Sequence, residues 1–178
     1  MRKTLTAFAV AACVLAGVAG SARARAQAEG WREIAWLFPR DGWPAGRAFR
    51  CGNKSCGGAI EVYVRPKAGF CNCDTGVTDD EEVDRVADLD MISPRFAPRE
   101  PGGVINVAGM KGRIRAYDLD MADGAHHSAV GIAVSRRCDV LVAVAQGKGE
   151  ASGVQRTALE FLATAEIERW MIAAMGGG

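Results

Sequence analysis

This 178-residue sequence is poor in histidine, proline and long apolar runs. Its two histidines are neighbours, His126 and His127, so a hydrolase triad would have to draw its base from them. Ser128 follows directly, but sequence adjacency supplies no nucleophile and base geometry, and there is no Gly-x-Ser-x-Gly elbow. No glycine-rich loop follows a strand and opens a helix, which leaves nucleotide binding without support. Six prolines against 22 glycines, with 24% charged residues, exclude a collagen-like or disordered chain. Beyond the first twenty positions no apolar run approaches the ~18–20 residues that cross a bilayer, so a polytopic membrane protein is excluded.

The first twenty positions are different. Arg2 and Lys3 precede an apolar stretch from Leu5 to Gly20, and Ser21 to Ala28 supplies small residues at alternate positions. This is the charged, apolar and cleavable pattern of a secretory signal, with the best cut after Ala28. Residues 1–28 are therefore expected to be removed, leaving 29–178 as one exported domain, periplasmic or extracellular. Val10-Ala11-Ala12-Cys13 resembles a lipoprotein box, but the apolar run continues past Cys13, which argues against lipid anchoring. Cleavage removes Arg2, Lys3, Arg23 and Arg25 and no acid, turning the net charge from +1 to −3. A mildly acidic chain lacks the basic footprint of a nucleic-acid binder.

In the mature region, residues 29–50 hold three of the four tryptophans, Trp31, Trp36 and Trp43. Interrupted by Pro39 and Pro44, this stretch is expected to be an irregular arm with a short strand or turn. Its aromatics are expected to be packing material, the alternative being an aromatic ligand platform on Trp31, Trp36 and Trp43. Gly58 to Arg65 alternates, with Ile60, Val62 and Val64 on one face and Glu61, Tyr63 and Arg65 on the other, as in a half-buried strand that Pro66 ends or marks as an edge. Thr78-Asp79-Asp80-Glu81 has the form of a capping box ahead of a short amphipathic helix through Val83, Val86 and Leu89. The acids there are expected to be a solvated, capped turn. Asp118 to Gly124 departs from a calcium loop in the spacing of its acids and is expected to be a turn.

Strands are predicted over Val104–Val107 leading into Gly112–Tyr117, over Ser128–Val134 and over Asp139–Ala145, the last two joined by a short hairpin. Val140 to Ala145 is apolar on both faces, as in a central strand covered on both sides. Ser152-x-x-Gln155 has a second capping-box form, and Val154, Ala158, Phe161, Leu162 and Ala165 recur at helical spacing to about Met171. The order predicts an α+β fold: an antiparallel sheet of about five to six strands with helices on its faces. Over Val107 to Trp170 this succession, with its long C-terminal helix, resembles the second half of the PsbP-like α/β/α sandwich family. The resemblance implies that sandwich and an accessory or assembly role. The segment 51–73 has no counterpart in that family.

That segment carries the densest chemistry. Cys51 and Cys56 are followed by Cys71 and Cys73, with Cys138 alone further on. In an oxidising compartment disulfides are the default, and four cysteines allow three pairings. A Cys71–Cys73 ring would be strained, so Cys51 and Cys56 are expected to pair with Cys71 and Cys73, stapling residues 51–73. The competing readings are a copper or zinc site on the same four thiolates, or a redox-active pair. Adjacent His126 and His127 point to opposite sides of a strand and so do not share an ion. Cys138, beside Arg136 and Arg137, is expected to be a buried small hydrophobe rather than a reactive thiol. These features together predict an exported, non-enzymatic binding or accessory module without a cofactor, whose partner is another exported protein or a small ligand. A metal-binding or thiol-redox protein is the alternative.

Overall fold

The computed structural model describes residues 30–176 apart from Arg40, Asn53, Phe70 and Cys71. The expected signal segment, Cys13 and Cys71 lie outside the described residues. In chain order the strands are β1 (Trp31–Ile34), β2 (Arg47–Cys51), β3 (Ile60–Lys67), β4 (Phe96–Pro98), β5 (Gly103–Val107), β6 (Met110–Asp120), β7 (His126–Arg136) and β8 (Asp139–Gly147). The helices are α1 (Asp80–Val86), α2 (Leu89–Ile92), α3 (Ala151–Leu162) and α4 (Ala165–Ala174). All eight strands form one antiparallel sheet in the order β1-β2-β3-β8-β7-β6, with β4 and β5 both pairing β6.

The fold is thus α+β, but the expectation of five to six strands in a PsbP-like sandwich is overturned by an eight-stranded sheet. The additional strands are short. β1, β2 and β4 have 4, 5 and 3 residues, too few for alternation to stand out from the Trp-rich and Pro-rich segments around them. The long strands are legible because their side chains obey the period of two. Along β8, Leu141, Ala143 and Ala145 join Val62, Val130 and Ile132 under α3 and α4, burying Val154, Phe161 and Met171. Val140, Val142 and Val144 face the opposite way, against Val83, Val86 and Leu89 from α1 and α2. The sheet therefore separates two apolar layers, and β8 is covered on both sides as its composition predicts.

Several local expectations shift. The cap of α1 is Asp79, one residue later than the Thr78 box, and its carboxylate accepts from the Glu82 N–H at 2.8 Å. The C-terminal helical run is two helices, broken at Ala163 and Thr164, and α3 begins after Glu150 with no side-chain cap bond, so Ser152 lies inside the helix. Pro66 neither ends β3 nor lies on an edge of the whole sheet, since it pairs with Leu141 of β8. The β2 pairing stops at Arg47 opposite Val64, so β3 is locally an edge at Pro66 and a missing N–H is tolerated there.

Close approach fixes Gly112 in β6. A Cβ there would run into the Ala133 carbonyl oxygen and Val134 Cα of the neighbouring strand, and paired backbone cannot move aside. Gly112→Ala is expected to cost about 3 kcal/mol, read as a lower urea midpoint at unchanged m-value.

Candidate functional site

The polar face of β3 is where this sheet departs from an ordinary sandwich. Glu61, Tyr63, Arg65 and Lys67 share one side of the strand. The sequence pattern marks the first three as the solvent face, but Tyr63, Arg65 and Lys67 are buried, Arg65 to 1% exposure. What covers them is the arm between β1 and β2 together with the turn joining α1 to α2.

Arg65 is gripped from two sides. Its Nε and Nη2 donate to the two Asp88 oxygens at 2.7 Å each, and its Nη1 and Nη2 donate to Asp41 at 2.9 and 2.6 Å. Planar guanidinium is suited to such paired forks. Lys67 Nζ donates to Asp88 Oδ1 at 2.7 Å and to the Val86 carbonyl at 2.9 Å. Two cations thus meet two carboxylates, and the cluster carries no net charge. The Arg65 hydrogen bonds hold Asp41 down to about pH 2 in its titration, although its side chain is 29% exposed.

Asp41 belongs to the arm. Trp36 packs edge-on to Tyr63 and lies under the Arg65 guanidinium at 5.6 Å, and Phe38 sits 4.7 Å from the Tyr63 ring. At Gly46 a Cβ would overlap Val64 O, Arg65 Cβ and the Trp36 ring, so only glycine lets the arm lie this close. The arm is a strap across β3, fastened by one ion pair and an aromatic cluster.

Further along the same face lies a second network. Glu61 accepts from Arg50, from the Tyr63 hydroxyl at 2.5 Å and from Gln146 Nε2 at 2.9 Å, and Gln146 Oε1 meets His127 Nδ1. Burial pulls the Glu61 pKa upward, but these donors outweigh it and hold the carboxyl below its usual range. Burial and the Glu61 acceptor together push Tyr63 up, keeping its hydroxyl protonated. His126 points away, 86% exposed beside Asp120, so the two histidines diverge. The acids of α1 are not simply solvated either: Asp80 binds Arg113 and Asp84 binds Arg115 and the Tyr117 hydroxyl, tying the helix to β6.

The cysteines pair differently from the expected cross-staple. Cys51 joins Cys56, five residues on, and Cys73 joins Cys138, 65 residues on. Cys51 ends β2, and the chain returns through a short 3₁₀ turn, Lys54–Cys56, which brings Cys56 back to it. Cys138 sits at the β7–β8 turn after Arg137, whose φ is 57°, and it is a bridge cysteine rather than a free buried hydrophobe. With Cys51, Cys56 and Cys73 in bridges, none of these three is a thiolate for copper or zinc. Among the described residues no group of three or more His, Cys, Asp or Glu side chains is placed to hold a metal.

The three arm tryptophans do not form one surface. Trp31 stacks on Phe161 of α3 at 4.2 Å, on the opposite side of the sheet from Trp36, and Trp43 follows Asp41 with its N–H on that carboxylate. A cleft of about 370 Å³ lies instead between the segment from Ser55 to Ile60 and the start of α3. Cys56, Gly57 and Gly58 form one wall, with Lys148, Arg156 and Glu160 around the other.

Asp88, Lys67 and Asp41 escaped the sequence reading. The available signal was the continuation of β3's polar alternation through Lys67, together with an acid set between Val86 and Leu89 in an otherwise apolar helical pattern.

No protein-family model matches the chain, and no curated protein matches it. It is similar to the crystal structure of PA94, a Pseudomonas aeruginosa protein of unknown function, at 14% identity and a TM-score of 0.45, covering 76% of this chain and 94% of that one. A likeness that remote carries no role across.

Three outcomes are expected. Asp88→Asn, which leaves Arg65 and Lys67 buried against a neutral amide, should cost about 3–5 kcal/mol. Asp41→Asn should cost about 1–2 kcal/mol by chemical denaturation, because its side chain is nearer water. Since the folded pKa of Asp41 is depressed, its contribution is complete above about pH 4 and is lost as pH falls through about 2. The acid limb of stability should accordingly flatten in Asp41→Asn. Finally, removing both cysteines of the 65-residue bridge should cost about 4 kcal/mol and removing both of the five-residue bridge about 2 kcal/mol, in proportion to loop closure.

Proposed function

We propose that the chain is an exported, disulfide-stabilised module that binds a small polar ligand or an exported partner without transforming it. The observation that carries this reading is the position of the Cys51–Cys56 bridge, whose Cys56 end anchors the segment that forms one wall of the 370 Å³ cleft. The bridge holds Cys56 covalently next to Gly57 and Gly58, which leaves that wall less freedom to lose on binding. The volume falls in the range of small-molecule sites, and the rim offers both signs of charge through Lys148, Arg156 and Glu160. Two disulfides favour an oxidising compartment, in agreement with the secretory pattern of residues 1–28. The polar groups of β3 are spent on one another, which suits a scaffold better than a reaction centre.

The test uses full-length protein expressed with its own leader and recovered from the periplasm. Intact mass before and after reduction and alkylation should show a chain starting at Glu29 with two disulfides and one alkylatable thiol. Thiol–disulfide turnover should not exceed that of free cysteine. In amide NMR, a panel of small polar metabolites should perturb Gly57, Gly58 and Thr157, and Thr157→Trp should abolish the response. Turnover well above free cysteine, or retention of residues 1–28, would overturn the reading.

A further inference from the structure

An open sheet edge attracts other strands unless proline, charge or a covering element blunts it. Most of this sheet's perimeter is blunted. The outer strand β1 carries Arg32 and Glu33 among its four residues. On the other side, the stretch running alongside β6 reads Phe96 to Gly102, with Pro98, Arg99, Glu100 and Pro101. At Gly102 the backbone is already occupied, its N–H donating to Asp80 at 2.8 Å and its carbonyl accepting from Arg113 at 3.0 Å. The guard stops there. β5, Gly-Val-Ile-Asn-Val, has no charge and no proline, three of its five residues are β-branched, and Val104 is 81% exposed.

The hairpin between β5 and β6 fixes which backbone groups of β5 look outward. Val107 and Met110 close a two-residue turn at Ala108 and Gly109, both at positive φ. In such a hairpin the closing pair is hydrogen-bonded, so Val107, Ile105 and Gly103 bond inward to β6, and Val104 and Asn106 turn their N–H and C=O to the open side. No described strand pairs that side.

We propose that this edge pairs with a second copy of the chain, β5 against β5 in antiparallel register about a two-fold axis at Ile105. The occupant follows from self-complementarity. With the axis at Ile105, Val104 of each copy faces Asn106 of the other, both outward-bonding positions meet outward-bonding positions, and four backbone hydrogen bonds form. Any other axis on the strand wastes one of the two outward residues. Ile105 then faces Ile105 across the axis as a non-hydrogen-bonded pair, where side chains approach most closely. An uncharged strand also meets its own copy without like-charge repulsion. A five-residue pairing is small beside the ~1,200 Å² of a stable interface, so the dimer is reversible and concentration-dependent.

The experiment is sedimentation of the mature, oxidised protein from about 10 µM to about 1 mM, the range in which small interfaces associate. A monomer–dimer equilibrium is expected. Val104→Lys, on a side chain already in solvent, and Val104→Pro, which removes an outward N–H while sparing the inward bonds, should each abolish it with unchanged circular dichroism. Val104→Thr should retain it. Ile105→Cys should give a covalent dimer under oxidation, and Val104→Cys should give far less, because its partner across the axis is Asn106. A wild-type monomer throughout the range, a dimer indifferent to Val104→Lys and Val104→Pro, or equal crosslinking from both cysteine variants would each overturn the proposal. So would a foreign strand peptide that occupies the edge while the chain alone stays monomeric.

Discussion

One carboxylate, that of Asp88, bonds to two buried cations on the middle of the sheet, with Asp41 completing the charge balance, and the layer above β3 depends on it. Arg65 and Lys67 project from a strand whose other face is wholly apolar, so they cannot turn toward water without turning Val62 and Val64 out of the core. Register holds the cations in place, and Asp88 makes that register tolerable. The same contact sets the junction between α1 and α2, because Asp88 and the Val86 carbonyl both bind Lys67. Helix placement, strand register and the seat of the arm are thus solved by one cluster.

The two faces of the sheet are consequently unlike. Beneath α3 and α4 the contact is aliphatic and aromatic, the kind of packing that tolerates swaps of similar volume. Above β3 the contact is ionic and hydrogen-bonded, with geometry that admits few substitutes. Toward β6 that upper layer becomes apolar again under α1, where Val83, Tyr117 and Ala129 meet, and Asp80 and Asp84 pin the helix from its flank. Polar fastening at both margins with an apolar centre gives α1 and α2 a defined position despite their 7 and 4 residues.

How much of this was written in the sequence depends on the range of the interaction. β8 was legible because every residue from Val140 to Ala145 is apolar and alternation needs no knowledge of neighbours. The helical spacing of Val154, Ala158 and Phe161 is equally local. The eight-stranded width was not legible, since β1, β2 and β4 exist only through their partners. Arg65 was misread for the same reason: a charge on an alternating strand signals solvent unless a carboxylate 23 residues later covers it. The cysteines show the limit most plainly. Spacing ranked the four clustered thiols as mutual partners, yet Cys73 bonds the one most distant in sequence, because the hairpin after β7 returns beside it. The 370 Å³ cleft has two walls from segments far apart in sequence, and no single stretch announces it.

The Cys73–Cys138 bridge has a topological consequence. It makes α1, α2 and β4 through β7 one covalent ring, with two tails, the first carrying β1 to β3 and the second carrying β8, α3 and α4. The pairing of β3 with β8 is therefore tail against tail, outside the ring. A backbone cut within the ring, at the Pro98–Gly102 loop for instance, would release no fragment while the sulfurs stay joined. A cut after β3 or after β8, where no bridge spans the chain, would instead leave the pieces joined only by non-covalent contacts. Against a protease, the exposed edge loop is the expendable part of this molecule and the connections that follow β3 and β8 are the vulnerable ones.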